Sequence, residues 1–121
     1  MAKKIVPPRP KATLTFTRKD GEGRTTSWWA VPRPEYYYDA ATLGNEYAAQ
    51  VIRLALESEF HGYNALGNIV ADPKWQPGGS VERGFMNMIM SCAMAGIREV
   101  ETNNAAPFDY AAAVEVVGLN D

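Results

Sequence analysis

The sequence has little cysteine and histidine: Cys92 and His61 are the only ones among 121 residues. Two such residues, far apart along the chain, cannot supply the ligand set of a zinc site. Cys92 lies in an apolar segment, which predicts packing because a thiolate would be costly there. His61 precedes Gly62 and is expected to cap a helix end. With no nucleophile beside a base, we predict a protein that is not an enzyme and uses neither metal nor cofactor.

Long apolar runs are missing as well. No segment of about 18 apolar residues occurs, so we expect no membrane-spanning helix and no membrane partner. The first residues have no apolar segment of the kind that a signal peptide needs. A single cysteine excludes an intramolecular disulfide, which is typical of a reducing compartment. The expected location is therefore cytoplasmic.

The net charge of −2 hides an asymmetry along the chain. Residues 1–33 carry eight basic and two acidic side chains, a balance of +6, and residues 34–121 carry four basic and twelve acidic ones, a balance of −8. Prolines among basic residues predict an extended arm over 1–11, followed by a single domain over 12–121. The asymmetry favours a local anion site or self-association, and it disfavours bulk attraction to duplex nucleic acid.

The first part of the domain has the pattern of a β-hairpin. Apolar and threonine residues alternate over 13–17, which is typical of a half-buried strand. The turn is expected at Asp20-Gly21-Glu22-Gly23, with a second strand over 24–31. Successive side chains of a strand point to opposite faces, so only one of Trp28 and Trp29 can enter the core.

Three helices are predicted after the hairpin, over about 40–59, 63–71 and 81–97. Asp39 is the expected N-cap of the first. The apolar stripe of the first helix comprises Leu43, Tyr47, Val51, Leu54 and Ala55. The inward side of the second is expected to comprise Tyr63, Leu66, Ile69 and Val70.

The third helix is apolar on nearly every side and contains four of the five methionines. This predicts a central position or coverage by a second subunit, and hence a homo-oligomer, a dimer or larger. Alternation over 108–116 predicts a closing strand. The expected fold is α+β: a small antiparallel sheet, made of the N-terminal hairpin and a C-terminal strand, with two long helices and one short helix on one face.

The segment that opens the third helix is the leading candidate for a binding site. Gly78 and Gly79 would let backbone N–H groups approach an anion, and the helix start adds free donors and the positive end of its dipole. Ser80 and Arg83 can add a hydroxyl and a guanidinium. A serine-capped glycine turn without any ligand is the alternative interpretation. Nearby residues expected to complete the site are Trp75 and Asn87.

Aromatic and basic residues around 16–38 form a second candidate region. Arg24, Trp28 and Tyr37 are the residues expected to contribute to ligand binding, since bases stack on aromatic rings and cations hold phosphates. The same composition suits a protein interface or a core rich in rings.

The predicted function is non-catalytic binding of a phosphate-bearing ligand, a nucleotide or short oligonucleotide. Small size and the lack of motifs are typical of accessory proteins of phages, for which sequestering such a ligand is a natural role. Two alternatives stay open. One is a protein-interaction module, an inhibitor or adaptor that blocks a host protein complex. The other is a structural assembly subunit that uses its N-terminal arm.

Overall fold

The computed structural model describes the backbone of residues 10–116 and the side chains of residues 10–113. The two strands are β1 (Arg18–Lys19) and β2 (Thr25–Ser27). The helices that follow are α1 (Tyr37–Glu57), α2 (Glu59–Ala71), α3 (Ser80–Asn104) and α4 (Tyr110–Val116). A two-stranded antiparallel sheet with helices confirms the α+β class. Residues 1–9 of the predicted arm lie outside the described residues.

The hairpin is shorter than predicted, and the first strand predicted over 13–17 is wrong, since β1 begins only at Arg18. The backbone N–H of Thr15 donates instead to Oε1 of Gln50 on α1, at 2.8 Å. Arg18 pairs with Ser27 and Lys19 with Thr25, with an irregularity between Arg18 and Lys19. The Asp20 carboxylate accepts the backbone N–H groups of Glu22 and Arg24 at 2.9 Å and holds the turn. Gly23 adopts a φ of +81°, which glycine tolerates at little cost. Beyond the strands one bond continues the pairing, from the Ala30 N–H to the Phe16 carbonyl at 2.8 Å.

The core is built around Trp29, which is fully buried, whereas Trp28 is half-buried. The prediction that only one of the two indoles enters the core is confirmed. The ring centroid of Trp29 lies 5.3 Å from that of Phe16 and 5.2 Å from that of Phe85, and both pairs are edge to face. Such aromatic pairs contribute about 1 kcal/mol beyond the area that they bury. Residues before β1 and after β2 therefore connect the hairpin to the helices.

The first helix begins earlier and ends earlier than predicted. Asp39 lies in the first turn of α1 and is not its N-cap, which is Tyr36. The predicted stripe is confirmed, since Tyr47, Val51 and Leu54 are buried. At the other end Ser58 terminates α1 and caps α2. His61 therefore does not end α1.

The second helix has thirteen residues and is not short. It buries the face that carries Gly62, Ala65 and Ile69, and Gly62 lies so close to Ala55 of α1 that a Cβ there would overlap it. Tyr63 and Val70 were expected to point inward, but 63% and 44% of their areas are exposed. The prediction is confirmed for Ile69, which is fully buried, and for Leu66, which packs against the core. It is wrong for Tyr63 and Val70, because the face of α2 that contacts α1 is the one that carries Gly62.

Two glycines bring α1 and α3 together. A Cβ on Gly44 would overlap the backbone of Val81, and a Cβ on Gly84 would overlap the carbonyl of Ala41. The helices therefore cross with their backbones in contact. This crossing positions the first turns of α3, which carry three of the nine predicted binding residues, Ser80, Arg83 and Asn87.

The chain forms two compact units, of which the first ends at Ile89 and the second begins at Met90, inside α3. In the second unit the predicted closing strand is wrong, because residues 110–116 form α4. Asp109 starts this helix: its side chain accepts the Ala112 N–H at 3.0 Å and its carbonyl the Ala113 N–H at 3.1 Å. An alanine run has the highest helix propensity, which here outweighs the alternation.

Candidate functional site

The start of α3 is organised around a buried carboxylate, that of Glu82, whose residue is 1% exposed. Its Oε1 accepts Nη1 of Arg33 at 2.6 Å. Its Oε2 accepts Nη2 of Arg33 at 2.8 Å, Nε1 of Trp29 at 2.8 Å and the backbone N–H of Gln76 at 2.9 Å. We call these four residues the Glu82 cluster. These hydrogen bonds link the segment after the hairpin, which carries Trp29 and Arg33, to Gln76 in the loop before α3 and to Glu82 in its first turn.

The cluster sets the charge state of Glu82. Burial raises the pKa of this carboxyl, but the hydrogen bonds from Arg33, Gln76 and Trp29 outweigh burial and lower it from its ordinary value of 4.5 to about 2. The group is therefore ionised at neutral pH and fully paired. The helix start already holds an anion, and that anion belongs to the chain itself.

The predicted glycines have structural roles beside this carboxylate. Gly78 has a φ of +79°, a conformation that other residues adopt only with strain. A Cβ on Gly79 would overlap Oε1 of Glu82, so glycine leaves room for the cluster. Ser80 is the first residue of α3 and is half-buried. These placements agree with the alternative of a glycine turn that opens a helix.

Four of the nine predicted residues nevertheless share one cleft. Trp75, Gly78, Arg83 and Asn87 line a depression of about 330 Å³, which we call the Arg83 cleft. Its other lining residues are Val70, Pro77, Glu82 and Met86. Arg83 is exposed, and within the described part of the chain its guanidinium has no hydrogen bond or ion pair. The cleft is thus apolar, with one uncompensated cation and one amide.

The three predicted residues near the hairpin lie elsewhere. Arg24 is paired within the hairpin turn, 3.1 Å from Asp20 and 2.8 Å from Glu22. Trp28 lines a different depression beside Leu14 and Thr17. Tyr37 is exposed at the first residue of α1. These three do not join the Arg83 cleft.

Next to the Arg83 cleft, α2 presents an exposed row of residues that the sequence interpretation missed. Phe60, Tyr63, Gly67 and Val70 recur at spacings of three and four, so they share one face of the helix. Val70 also lines the Arg83 cleft. We call the combined area the α2/α3 surface: Phe60, Tyr63, Gly67, Val70, Trp75, Arg83, Met86 and Asn87.

The Glu82 cluster was also missed, although two signals pointed to it. Glu82 is the one acidic residue between Val81 and Ile97, a stretch in which Arg83 is the only other charged residue. A buried tryptophan usually needs a partner for its indole N–H. Neither signal names Arg33, which is 49 residues away.

The described residues offer few groups for catalysis or metal binding. Among them no group of three or more histidine, cysteine or acidic residues could hold a metal ion. Cys92, predicted to pack, is exposed. His61 lies on α2 with its Nδ1 2.7 Å from the Ser58 hydroxyl.

Comparison with known proteins assigns no family to this arrangement. No protein-family model, curated protein or solved structure matches the chain. None of the helices within the described range is long and apolar enough to cross a membrane. A function must therefore be argued from the geometry of these surfaces.

Proposed function

We propose that the protein is a non-catalytic protein-interaction module that holds a segment of another protein on its α2/α3 surface. The observation that carries this proposal is an exposed apolar row that leads into a cleft containing an unpaired arginine. Phe60 is 74% and Tyr63 is 63% exposed. Large apolar patches rarely stay uncovered on a folded chain unless they bind something.

The composition of this surface supports protein binding. The centres of protein interfaces are enriched in aromatic residues, methionine and arginine and depleted of lysine and carboxylates. Trp75, Arg83 and Met86 meet in the cleft, and Phe60 and Tyr63 extend it along α2. Arg83 is the only charged side chain exposed on this surface, because Glu82 below it is buried and bound to Arg33.

The charge of the surface indicates the chemistry of the occupant. An uncompensated guanidinium beside apolar walls favours a segment that brings one carboxylate among apolar side chains. An amphipathic helix with an acidic residue meets this requirement. A second copy of the chain fits less well, since the α2/α3 surface has no exposed carboxylate of its own to meet Arg83. We therefore infer a foreign partner, as expected of an adaptor or inhibitor.

The proposal is tested by selecting displayed peptides of about 15 residues, roughly 22 Å as a helix, on the immobilised full chain. The wild-type chain should enrich peptides with apolar residues at helical spacing and one aspartate or glutamate. Arg83→Glu should select lysine or arginine at that position instead, and Tyr63→Ser should reduce enrichment. Tyr38→Ser removes a tyrosine that is more exposed than Tyr63 but lies outside the surface, and it should leave the selected sequences unchanged.

Two outcomes would contradict the proposal. One is enrichment that Tyr63→Ser and Arg83→Glu leave unaltered, which would place the contact elsewhere. The other is concentration-dependent self-association in light scattering that Tyr63→Ser abolishes, which would assign the surface to a second copy.

A second candidate function is binding of the phosphate-bearing ligand predicted from the sequence. It is favoured by the convergence of Trp75, Gly78, Arg83 and Asn87 on a cleft near the lower size limit of ligand pockets, about 300 Å³. It ranks second because the Glu82 carboxylate occupies the helix start that was expected to hold phosphate. The homo-oligomer, the assembly arm and the cytoplasmic location stay predictions.

A further inference from the structure

A second cleft lies apart from the α2/α3 surface, between the hairpin and the loop that follows α2. It encloses about 590 Å³ and is bounded on one side by Arg18 and the segment 29–33. Pro73, Lys74 and Gln76 form the other side. We call it the basic cleft, because three cations and no carboxylate line it.

Two of these cations form no ion pair in the part of the chain that the structure describes, although the charge of Lys74 helps to lower the pKa of the neighbouring Asp72 carboxyl. The Arg33 guanidinium is committed to Glu82. By contrast, among residues 10–116 the Arg18 guanidinium donates only to the carbonyl of its neighbour Thr17, at 3.1 Å. Within the described residues the Lys74 ammonium has no hydrogen bond or ion pair. Placing unpaired like charges on one cleft is unfavourable unless an anion joins them.

The walls of the basic cleft are fixed by hydrogen bonds. Asp72 accepts the backbone N–H of Trp28 at 2.8 Å and that of Lys74 at 2.9 Å, so it joins the hairpin to the loop. Nη2 of Arg33 also donates to the Lys74 carbonyl at 2.9 Å. The carboxylates that contact these walls, those of Asp72 and Glu82, are therefore already engaged in hydrogen bonds. Preorganised walls reduce the entropy lost when a ligand binds.

The shape and the polarity of the cleft select the class of ligand. Its one aromatic residue, Trp29, is fully buried and offers no stacking face. Recognition must then rest on charge and hydrogen bonding, which phosphate oxygens satisfy with arginine and lysine. We propose that the basic cleft binds a small phosphate-bearing molecule through its phosphate group.

The test is isothermal titration of the full chain with inorganic pyrophosphate and, separately, with a nucleoside diphosphate. Arg18→Ala and Lys74→Ala should each weaken pyrophosphate binding by about tenfold, since each removes a charged contact. Arg53→Ala removes the same charge from an exposed site on α1 and should change affinity less than about twofold. Circular dichroism verifies that each variant folds.

Comparing the affinities of the two ligands distinguishes recognition of the phosphate group from recognition of the nucleoside that carries it. Equal affinity for both ligands would show that the cleft recognises phosphate alone. Tighter binding of the nucleotide, weakened to the same extent by Lys74→Ala, would show that the cleft also contacts the nucleoside. Nucleotide binding lost in Arg83→Ala but kept in Lys74→Ala would overturn the proposal in favour of the Arg83 cleft. Equal weakening by Arg53→Ala, or no heat at millimolar pyrophosphate, would overturn it as well.

Discussion

The two halves of α3 have similar apolar compositions but opposite surroundings. In the first half, Val81, Glu82 and Phe85 are at most 1% exposed. From Met90 to Asn104 no residue is buried, and Met90 and Met94 are 57% and 42% exposed. Composition thus does not decide which part of an apolar helix is covered. Neighbouring elements decide it, and in the first half these are α1 at Gly44 and the segment after β2 at Trp29.

The largest expected effect comes from the polar group that the first half buries. Glu82→Gln keeps the shape of the side chain but sets an amide against the guanidinium of Arg33. Breaking a buried pair costs about 3–5 kcal/mol, and we expect the free energy of unfolding to fall by about 3 kcal/mol, since the Arg33 side chain is 36% exposed and can be hydrated. Urea unfolding followed by tryptophan fluorescence measures this, since all three tryptophans precede Met90.

The matched substitution in the second half is Glu99→Gln, at an exposed position of α3. It should alter the same unfolding curve by no more than about 0.5 kcal/mol. A loss below about 1 kcal/mol for Glu82→Gln would mean that the buried carboxylate contributes no more than a surface group does, and the contrast between the halves would fail.

The same comparison explains what could be predicted from the sequence. Periodicity located three helices and the buried stripe of α1, because Tyr47, Val51 and Leu54 depend on local spacing alone. It could not show that α2 turns Tyr63 outward, since that orientation depends on the close approach of Gly62 to Ala55.

The candidate site was predictable to the same extent. Trp75, Gly78, Arg83 and Asn87 lie within one local segment, and they do meet in one cleft. The pairing of Arg33 with Glu82 is a contact between distant parts of the chain, so no local pattern contains it. The C-terminal strand was wrong because an alanine-rich segment after Asp109 alternates in polarity and favours helix at the same time.

Lowering the pH tests the contribution of the buried carboxylate to stability without any substitution. The pKa of Glu82 is lowered from 4.5 to about 2 in the folded state, so its ionised form stabilises the fold above pH 4.5. This stabilisation should be lost as the pH falls from about 4.5 to about 2, by an amount on the order of 3 kcal/mol. The pKa of Asp72 is lowered too: partial burial raises it, but hydrogen bonds from Lys74, Trp28 and Ser27 outweigh that effect. Asp72 therefore adds a loss in the same direction.

Urea unfolding at a series of pH values separates the two carboxyls. The wild-type chain should lose stability steeply over this range, and Glu82→Gln should retain only the shallower slope due to Asp72 and other groups. Parallel slopes for the two chains would contradict a lowered pKa at Glu82.

The last contrast comes from a pair of glycines, one in each half of α3. Gly84→Ala places a Cβ against the Ala41 backbone and should lower stability by about 3 kcal/mol, the upper end of the usual cost of overpacking. At Gly96 an added Cβ meets nothing within 4 Å, so Gly96→Ala should stabilise the helix locally by about 1 kcal/mol through helix propensity. Hydrogen exchange should then slow about fivefold at the amides around residue 96, with the fluorescence-detected unfolding unchanged. If Gly96→Ala instead destabilised the chain, the exposed half of α3 would have to be covered in solution, since an uncovered helix gains from alanine.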